Sequence, residues 1–380
     1  MAWTHYQKLL AITMVVTGSF NTLSVKYADK QIVPGNDGEP KNFNHPFMQS
    51  CFMFLGEMLC LLVFKIAFAY INRSVDRSVD DHSLTKGSRT FNPMLLLIPA
   101  CCDMIGTSVM YVGLNLTYPS SFQMLRGSVI VFTGILSVGF LDRKLGKREW
   151  SGIAFVIAGL ALVGASDLLL NANSNMNINS ILTGDLLIIC AQVISAVQMV
   201  VEEKFISGHD IPPLQAVGWE GIFGFIGMCI LIIPLNFIPG SPPFADNPRG
   251  TLEDSLDAFA QIGNSGRLLM AIVGITVSIA FFNFAGVSVT KEMSATSRMI
   301  LDSVRTVVIW GFSLAFGWQG FHYLQLIGFT VLLIGMACYH NIVIPQLVRK
   351  CQSRLGRHRP PQNDQVRVLN AAADDIDEAR

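Results

Sequence analysis

Residues 120–134 read SSFQMLRGSVIVFTG and residues 295–309 read ATSRMILDSVRTVVI. Laid over each other they match Met124 with Met299, Ser128 with Ser303 and Val129 with Val304. Each is an apolar run with a permanent cation set inside it, Arg126 in the first and Arg305 in the second. Slipping the alignment by one more residue pairs SGIAFVIAGLALVG (151–164) with IGFTVLLIGMACYH (327–340), so that Gly152 meets Gly328 and Gly159 meets Gly335. KLLAITMVVTGSFN and DLLIICAQVISAVQ align more weakly near the start of each half, and Pro46 and Pro212 share a P-x-x-Q opening. A repeat of this length defines the architecture before any motif is weighed.

Composition names the solvent of the repeated unit. The 380 residues are 51% hydrophobic and only 14% charged, with a net charge of zero, too apolar for an ordinary water-facing surface. A bilayer core about 30 Å thick takes roughly 20 mostly apolar residues per helix. Ten such runs occur, at 5–28, 47–71, 94–116, 119–141, 149–168, 183–205, 214–237, 268–290, 295–317 and 323–344. The expected fold class is an all-α multi-pass membrane protein of ten transmembrane helices. The first run is too long for a signal peptide core and is read as a retained helix. Residues 1–170 form one five-helix half, 182–348 a second, and 349–380 a disordered cytosolic tail. An odd number of spans per half turns the second upside down relative to the first, an inverted repeat of the kind that secondary transporters use for alternating access.

Lys and Arg in short loops stay cytosolic. Arg143, Lys144, Lys147 and Arg148 follow the fourth run, and Arg349, Lys350, Arg354, Arg357 and Arg359 follow the tenth. Both termini and the loop with Arg73, Arg77, Lys86 and Arg89 then lie in the cytosol. On the opposite side, residues 169–181 are rich in asparagine, and NPRGTLEDSLDAFAQ holds Thr251 and Asp254 at capping-box spacing ahead of Leu256 and Phe259. This predicts a short amphipathic helix lying on the membrane surface. Seven of the eight cysteines fall within the apolar runs, which is neither a disulfide framework nor a zinc pattern. No metal and no cofactor are expected.

An ionisable side chain at the centre of a membrane helix costs roughly 2.5–3.5 kcal/mol on insertion scales, so each requires a partner or a wet cavity. Glu57, Lys65, Asp103, Arg126, Glu220, Arg298, Asp302 and Arg305 are the eight such positions. Arg298, Asp302 and Arg305 share one helical face, as do Gln123 and Arg126. The repeat directs both faces into the cleft between the halves. Arginine stays charged and forks onto carboxylate or phosphate, so Gln123, Arg126, Arg305, Asn283 and Tyr111 are the candidate substrate-binding residues. Arg305, the deepest, is the stronger of the two arginines. Glu57, Asp103, Glu220, Asp302 and Arg298 are candidates for coupling or for internal charge pairing, Asp302 with Arg305 among them. The four acids and four bases sum to zero, so Arg126 holds either a substrate anion or a neighbouring carboxylate. Lys65 is expected to snorkel, and the EEK of 202–204 to be a solvated helix end, with a gate or interface anchor as the sharper reading.

Beyond SSFQMLRGSVI, the strings FLGEMLCLL, CDMIGTSVMY, TGDLLIICAQ, VVEEKF, IAFFNFAGVSVTKE and LDSVRTVVIW resemble the nucleotide-sugar-transporter-like solute carrier family 35, F branch, of the drug/metabolite transporter superfamily. The resemblance implies a secondary transporter that moves an organic, anionic or nucleotide-linked solute across an intracellular membrane. It implies a lysosomal membrane first, with Golgi or mitochondrion as further candidates. The implied partners are a small organic solute and the lipid bilayer, with a homodimer or a membrane-protein partner also open, and no nucleic acid. No Walker loop, Rossmann glycine pattern or HExxH occurs, so an enzyme is not expected. The rival reading is a non-transporting membrane adaptor of the lysosomal or mitochondrial membrane.

Overall fold

The computed structural model of the chain describes residues 4–73, 87–88, 91–116, 122, 125–141, 145–170, 178–240, 247, 249–316 and 323–340. Gln123, the tail from 349 and the asparagine-rich segment 171–177 lie outside them, as do the side chains of Tyr111 and Trp310.

Helix α1 (His5–Asp29) starts on a capping box in which Thr4 Oγ1 accepts from the Gln7 backbone while Gln7 Oε1 accepts from the Thr4 backbone. A hairpin follows, β1 (Ile32–Pro34) pairing antiparallel with β2 (Pro40–Asn42) around Gly38, whose φ of +81° suits a residue without Cβ. The all-helical expectation did not include this hairpin. Then come α2 (Pro46–Arg73), a 3₁₀ turn at Pro93–Leu96 leading into α3 (Leu97–Leu116), and a 3₁₀ turn at Arg126–Ser128 leading into α4 (Val129–Phe140). Helices α5 (Lys147–Leu170), α6 (Ile178–Gly208), α7 (Pro213–Leu235), α8 (Ser255–Asn264), α9 (Gly266–Glu292), α10 (Ala295–Ala315) and α11 (Tyr323–His340) complete the described chain. Among the described residues, α1, α2, α3 with its leading turn, α6, α7 and α9 are long and apolar enough to cross a bilayer, and shorter apolar helices lie at Arg126–Phe140 and Leu326–Tyr339. The chain is a multi-pass, all-α membrane protein, with one small hairpin among the described residues.

Its outer faces are apolar: Leu9, Ile12, Val16 and Phe20 on α1, and Ile226, Ile230 and Ile233 on α7, are all exposed. Lipid, not water, is the medium that such faces tolerate. Helix pairs pack α1 on α9, α3 on α6, α2 on α7 and α5 on α11, with further contacts of α1 on α10, α4 on α6, α2 on α9 and α3 on α7. Without a hydrophobic drive between helices in lipid, close packing carries the association, and small residues permit it. A Cβ on Gly335 of α11 would lie 2.6 Å from the Val156 backbone of α5, and one on Gly152 of α5 would lie 2.6 Å from the Tyr339 backbone of α11. On the α2–α7 pair, a Cβ on Gly221 would collide with the Met58 backbone.

Helix α8 is the expected short amphipathic element, capped one turn later than the sequence suggests. Asp254, not Thr251, accepts from the first helical turn (Asp257 N, 3.2 Å), while Thr251 Oγ1 donates to the Glu253 carbonyl. Its apolar Leu256 and Phe259 face outward and its polar Asp257 and Gln261 are buried, the arrangement of a helix lying on lipid. The buried side grips the hairpin and the start of α2. His45 sits between Glu253 (Nδ1 to Oε1, 2.7 Å) and Asp257 (Nε2 to Oδ2, 3.4 Å), and Lys41 reaches Asp257 at 3.2 Å. Gln261 donates to the Val33 carbonyl and Asn264 to that of Pro34.

Two outcomes follow from this packing. Gly335→Val drives a branched side chain into the α5 backbone and lowers stability by about 1–3 kcal/mol, read as an earlier melt of the protein in detergent. Glu253→Ala strips His45 of one of its two buried partners and costs about 1–3 kcal/mol, with protease cleavage appearing within the hairpin. Unchanged melting of both variants would show that neither contact holds the bundle.

Candidate functional site

The packing of these helices leaves a cavity of about 460 Å³ between them, within the roughly 300–1,000 Å³ usual for small-molecule sites. Its wall on the α1 side carries Asn21, Thr22 and Lys26, its α2 wall Ser50 and Glu57, and its α3 wall Asp103 and Thr107. Arg126 precedes α4, Ser195 and Gln198 come from α6, Phe282 and Asn283 from α9, and Arg298, Asp302 and Arg305 from α10. Of the residues singled out in the sequence, Arg126, Arg305, Asn283, Glu57, Asp103, Asp302 and Arg298 are thus brought to one space. Glu220 is buried behind it on α7, and Lys65 is exposed on the outer face of α2.

One end of the cavity is shut by charge. Arg298 is 5% exposed, and its Nη1 donates to Oε2 of Glu202, itself 1% exposed. Gln198 Nε2 donates to the other Glu202 oxygen at 3.0 Å. The neighbouring Glu203 accepts from the Ala295 backbone at 3.1 Å, capping the first turn of α10. The EEK segment is therefore not a solvated helix end: both acids are buried and fasten α6 to α10. The missed signal lies in α6 itself, where Ser195, Gln198 and Glu202 fall at i, i+3 and i+7 on one face of an otherwise apolar helix. A pure end-of-span reading hides it. Gly286 of α9 makes room for the guanidinium, since a Cβ there would meet Arg298 Nε at 2.9 Å.

The opposite end is open, because Asp29 and Lys30 at the C-terminal end of α1 line the cavity and are exposed. None of Lys26, Asp29 and Lys30 was among the candidate residues. Asp29 accepts from Gln49 Nε2 at 2.6 Å, which ties this rim to α2.

Between the two ends the remaining charges separate into two groups. Arg305 Nη2 donates to Asp302 Oδ1 at 2.7 Å, one turn away on the same helix, and its guanidinium carbon lies 4.7 Å from the centre of the Phe282 ring. Its aliphatic stem runs across Gly18, where a Cβ would meet Arg305 Cδ at 2.6 Å. Arg126 instead faces the Phe122 ring at 5.9 Å, and among the described residues no carboxylate lies within 4 Å of it. On the other wall, Asn283 Nδ2 donates to Glu57 Oε1 at 2.5 Å, and Thr107 Oγ1 donates to Asp103 Oδ1 at 3.2 Å. The cavity is thus bipolar, arginines on the α4 and α10 side and carboxylates on the α2 and α3 side.

The Glu202–Arg298 pair makes a direct test of the closed end. Glu202→Ala leaves a guanidinium buried without its partner and destabilises the protein by about 3–5 kcal/mol, seen as a lower melting temperature in detergent. Replacing both at once, Glu202→Leu with Arg298→Met, recovers most of that loss. A single variant as stable as the parent would mean that the pair does not fasten this end.

Comparison with known proteins places the whole assembly. Residues 4–214 match the nucleotide-sugar transporter family. Solute carrier family 35 member F6 of Homo sapiens is 52% identical over 382 residues, covering all of both chains. An uncharacterized protein of Schizosaccharomyces pombe is 33% identical over 337 residues, covering 88% of this chain and 98% of its own. A shorter stretch of 111 residues is 30% identical to the UDP-N-acetylglucosamine transporter of Rattus norvegicus, covering 29% of this chain and 33% of that one. A solved crystal structure superposes with a TM-score of 0.55 over 88% of this chain and 96% of its own at 16% identity, a likeness of fold alone. With a family match over more than half its length and end-to-end identity to the F6 members, the chain belongs to the nucleotide-sugar transporter family, in the F branch of solute carrier family 35, and is a membrane transporter.

Proposed function

We propose that this chain carries an organic anion, nucleotide-linked in the first instance, across an intracellular membrane by alternating access at the central cavity. The observation that carries the reading is Arg126, a cation on the cavity wall with an aromatic ring on one side and no carboxylate within reach among the described residues. A fixed guanidinium in that position offers a two-pronged donor to a phosphate or carboxylate. Arg305, already engaged by Asp302 and stacked on Phe282, adds positive potential beside it rather than a vacant fork. The geometry therefore favours Arg126 over Arg305, the reverse of the ranking by depth alone. Asn283 orients Glu57 across the cavity, and the Phe122 and Phe282 rings lie against the two guanidiniums on the opposite side. The likeness of one segment to a UDP-N-acetylglucosamine transporter supports the nucleotide-linked class.

Ten spans in two inverted halves are the frame of this reading. Exchanging α1, α2, α3, α4 and α5 with α6, α7, α9, α10 and α11 turns the helix contacts between the two sets into one another: α1 on α9 becomes α6 on α3, α1 on α10 becomes α6 on α4, and α2 on α9 becomes α7 on α3. The pairs α2 with α7 and α5 with α11 map onto themselves, the latter through equivalent glycines on each side. That is support for a two-fold relation whose axis runs through the cavity. With both termini cytosolic, the Glu202–Arg298 end is the cytosolic gate, closed here, and the Lys26–Lys30 rim faces the lumen of the organelle, for which we favour the lysosome.

Uptake and counterflow in proteoliposomes, with a panel of nucleotides, nucleotide sugars, nucleosides and organic cations, tests the reading. Arg126→Ala loses about 10- to 100-fold of the flux of an anionic substrate with melting unchanged, and Arg126→Lys recovers part of it. If organic cations are carried instead, the arginines are counter-ions only. A complete lack of flux across the panel favours the adaptor.

A further inference from the structure

The arginines leave a surplus of acid on the far wall. Four carboxylates, Glu57 on α2, Asp103 on α3, Glu202 on α6 and Glu220 on α7, act on one another electrostatically, and the cation common to them is Arg298. Glu202 takes Arg298 as its ion-pair partner. Asp302, also within reach of Arg298, is held by Arg305. Among the described residues, Glu57, Asp103 and Glu220 are then left without a cation of their own. Their neighbours are a neutral amide (Asn283), a neutral hydroxyl (Thr107) and the thiols of Cys60 and Cys102. The α7 backbone at Gly221 is pressed against Glu57, so Glu220 is locked beside this group. Glu220 is buried, and its Oε1 has no hydrogen-bond partner. Glu57 and Asp103 line the cavity and Glu220 is buried behind it, and with Arg298 already taken by Glu202 the three carboxylates share one side of the bundle, an arrangement that disfavours charge on all three at once. An orphaned carboxyl oxygen beside two other acids is where a proton belongs.

Resting on the transporter reading above, we infer that Glu57, Asp103 and Glu220 form a proton-binding site and that the chain moves its solute in a proton-coupled cycle. Glu57 and Asp103 line the cavity, so a proton from water in the open cavity reaches them directly, binds a carboxylate oxygen as O–H, and returns to water when the cavity faces the other side. Glu220 shares it from behind. Arg298 links this site to the gate, since it lines the cavity while held by Glu202. Loss of the proton leaves a fresh carboxylate competing with Glu202 for the same guanidinium, which loosens α6 from α10. Lys26 belongs to the opposite rim, with Asp29 and Lys30 as its electrostatic neighbours.

The site is tested without any substrate by infrared difference spectroscopy of the full-length protein in detergent, stepped from neutral to alkaline buffer. The expected result is the C=O stretch of a protonated buried carboxyl at neutral pH, lost on the alkaline step and reduced in Glu57→Gln and in Glu220→Gln. Asp103→Asn, which keeps an acceptor for Thr107, serves where a glutamine variant fails to fold. A parent spectrum without the band, or a band that none of the three substitutions alters, overturns the site. Coupling is read in proteoliposomes with radiolabelled UDP-N-acetylglucosamine or whichever solute of the panel supports counterflow. A pH gradient should raise net uptake severalfold in the parent and not in Glu57→Gln. Uptake indifferent to the gradient overturns the coupling, whereas a titrating band with no flux of any solute defeats the transporter reading and leaves the proton site standing.

Discussion

A guanidinium cannot shed its charge inside a hydrocarbon slab, so every arginine within this bundle has to be given an anion, an aromatic face or a wet cavity. That constraint arranges the interior. Arg298 takes Glu202 and thereby fastens α6 to α10. Arg305 takes Asp302 within its own helix and the Phe282 ring of α9. Arg126 has a ring and the cavity. The glycines follow from the arginines: Gly18 and Gly286 stand where any side chain would strike Arg305 or Arg298.

A second constraint sets how near the helices come. In lipid nothing expels apolar faces from their surroundings, so attraction between helices depends on close backbone approach and on the polar groups that cross between them. The glycine contacts of α5 with α11 and of α2 with α7 serve the first need. Asn21 serves the second, donating from α1 to the Ile275 carbonyl and Ser278 hydroxyl of α9. The cavity opens where the helices do not approach this closely, and polar groups that cross between helices, Asn21 and the Asn283–Glu57 pair among them, line it.

Outside the bilayer the rules revert to those of a soluble protein. The hairpin, α8 and the start of α2 are joined through His45, Glu253, Asp257 and Lys41, and the Asp37 carboxyl in the hairpin turn is held below the ordinary carboxylate range by its hydrogen bond from Lys41. These contacts connect a segment between the first two helices to one far along the chain. No local pattern announces them: His45 and Glu253 are each unremarkable in their own stretch of sequence.

The sequence by itself determined the solvent, the helices and the identity of the charged residues that matter. Apolar runs such as 214–237 and 268–290 are legible because a membrane helix must satisfy its backbone internally and clothe itself in hydrocarbon, and they appear as Pro213–Leu235 and Gly266–Glu292. Counting charges also exposed Glu57, Asp103, Arg298 and Arg305, since each is costly where it stands. Only the tertiary structure decided who meets whom. Glu202 looked like a helix end and is the partner of Arg298. Asn283, a candidate solute ligand on the cavity wall, is also the hydrogen-bond donor to Glu57. The Lys26–Lys30 rim carried no signal at all. The reason is physical: burial cost is a property of one residue and its helix, whereas pairing depends on the distance between atoms on different helices, which the packing of the whole bundle fixes.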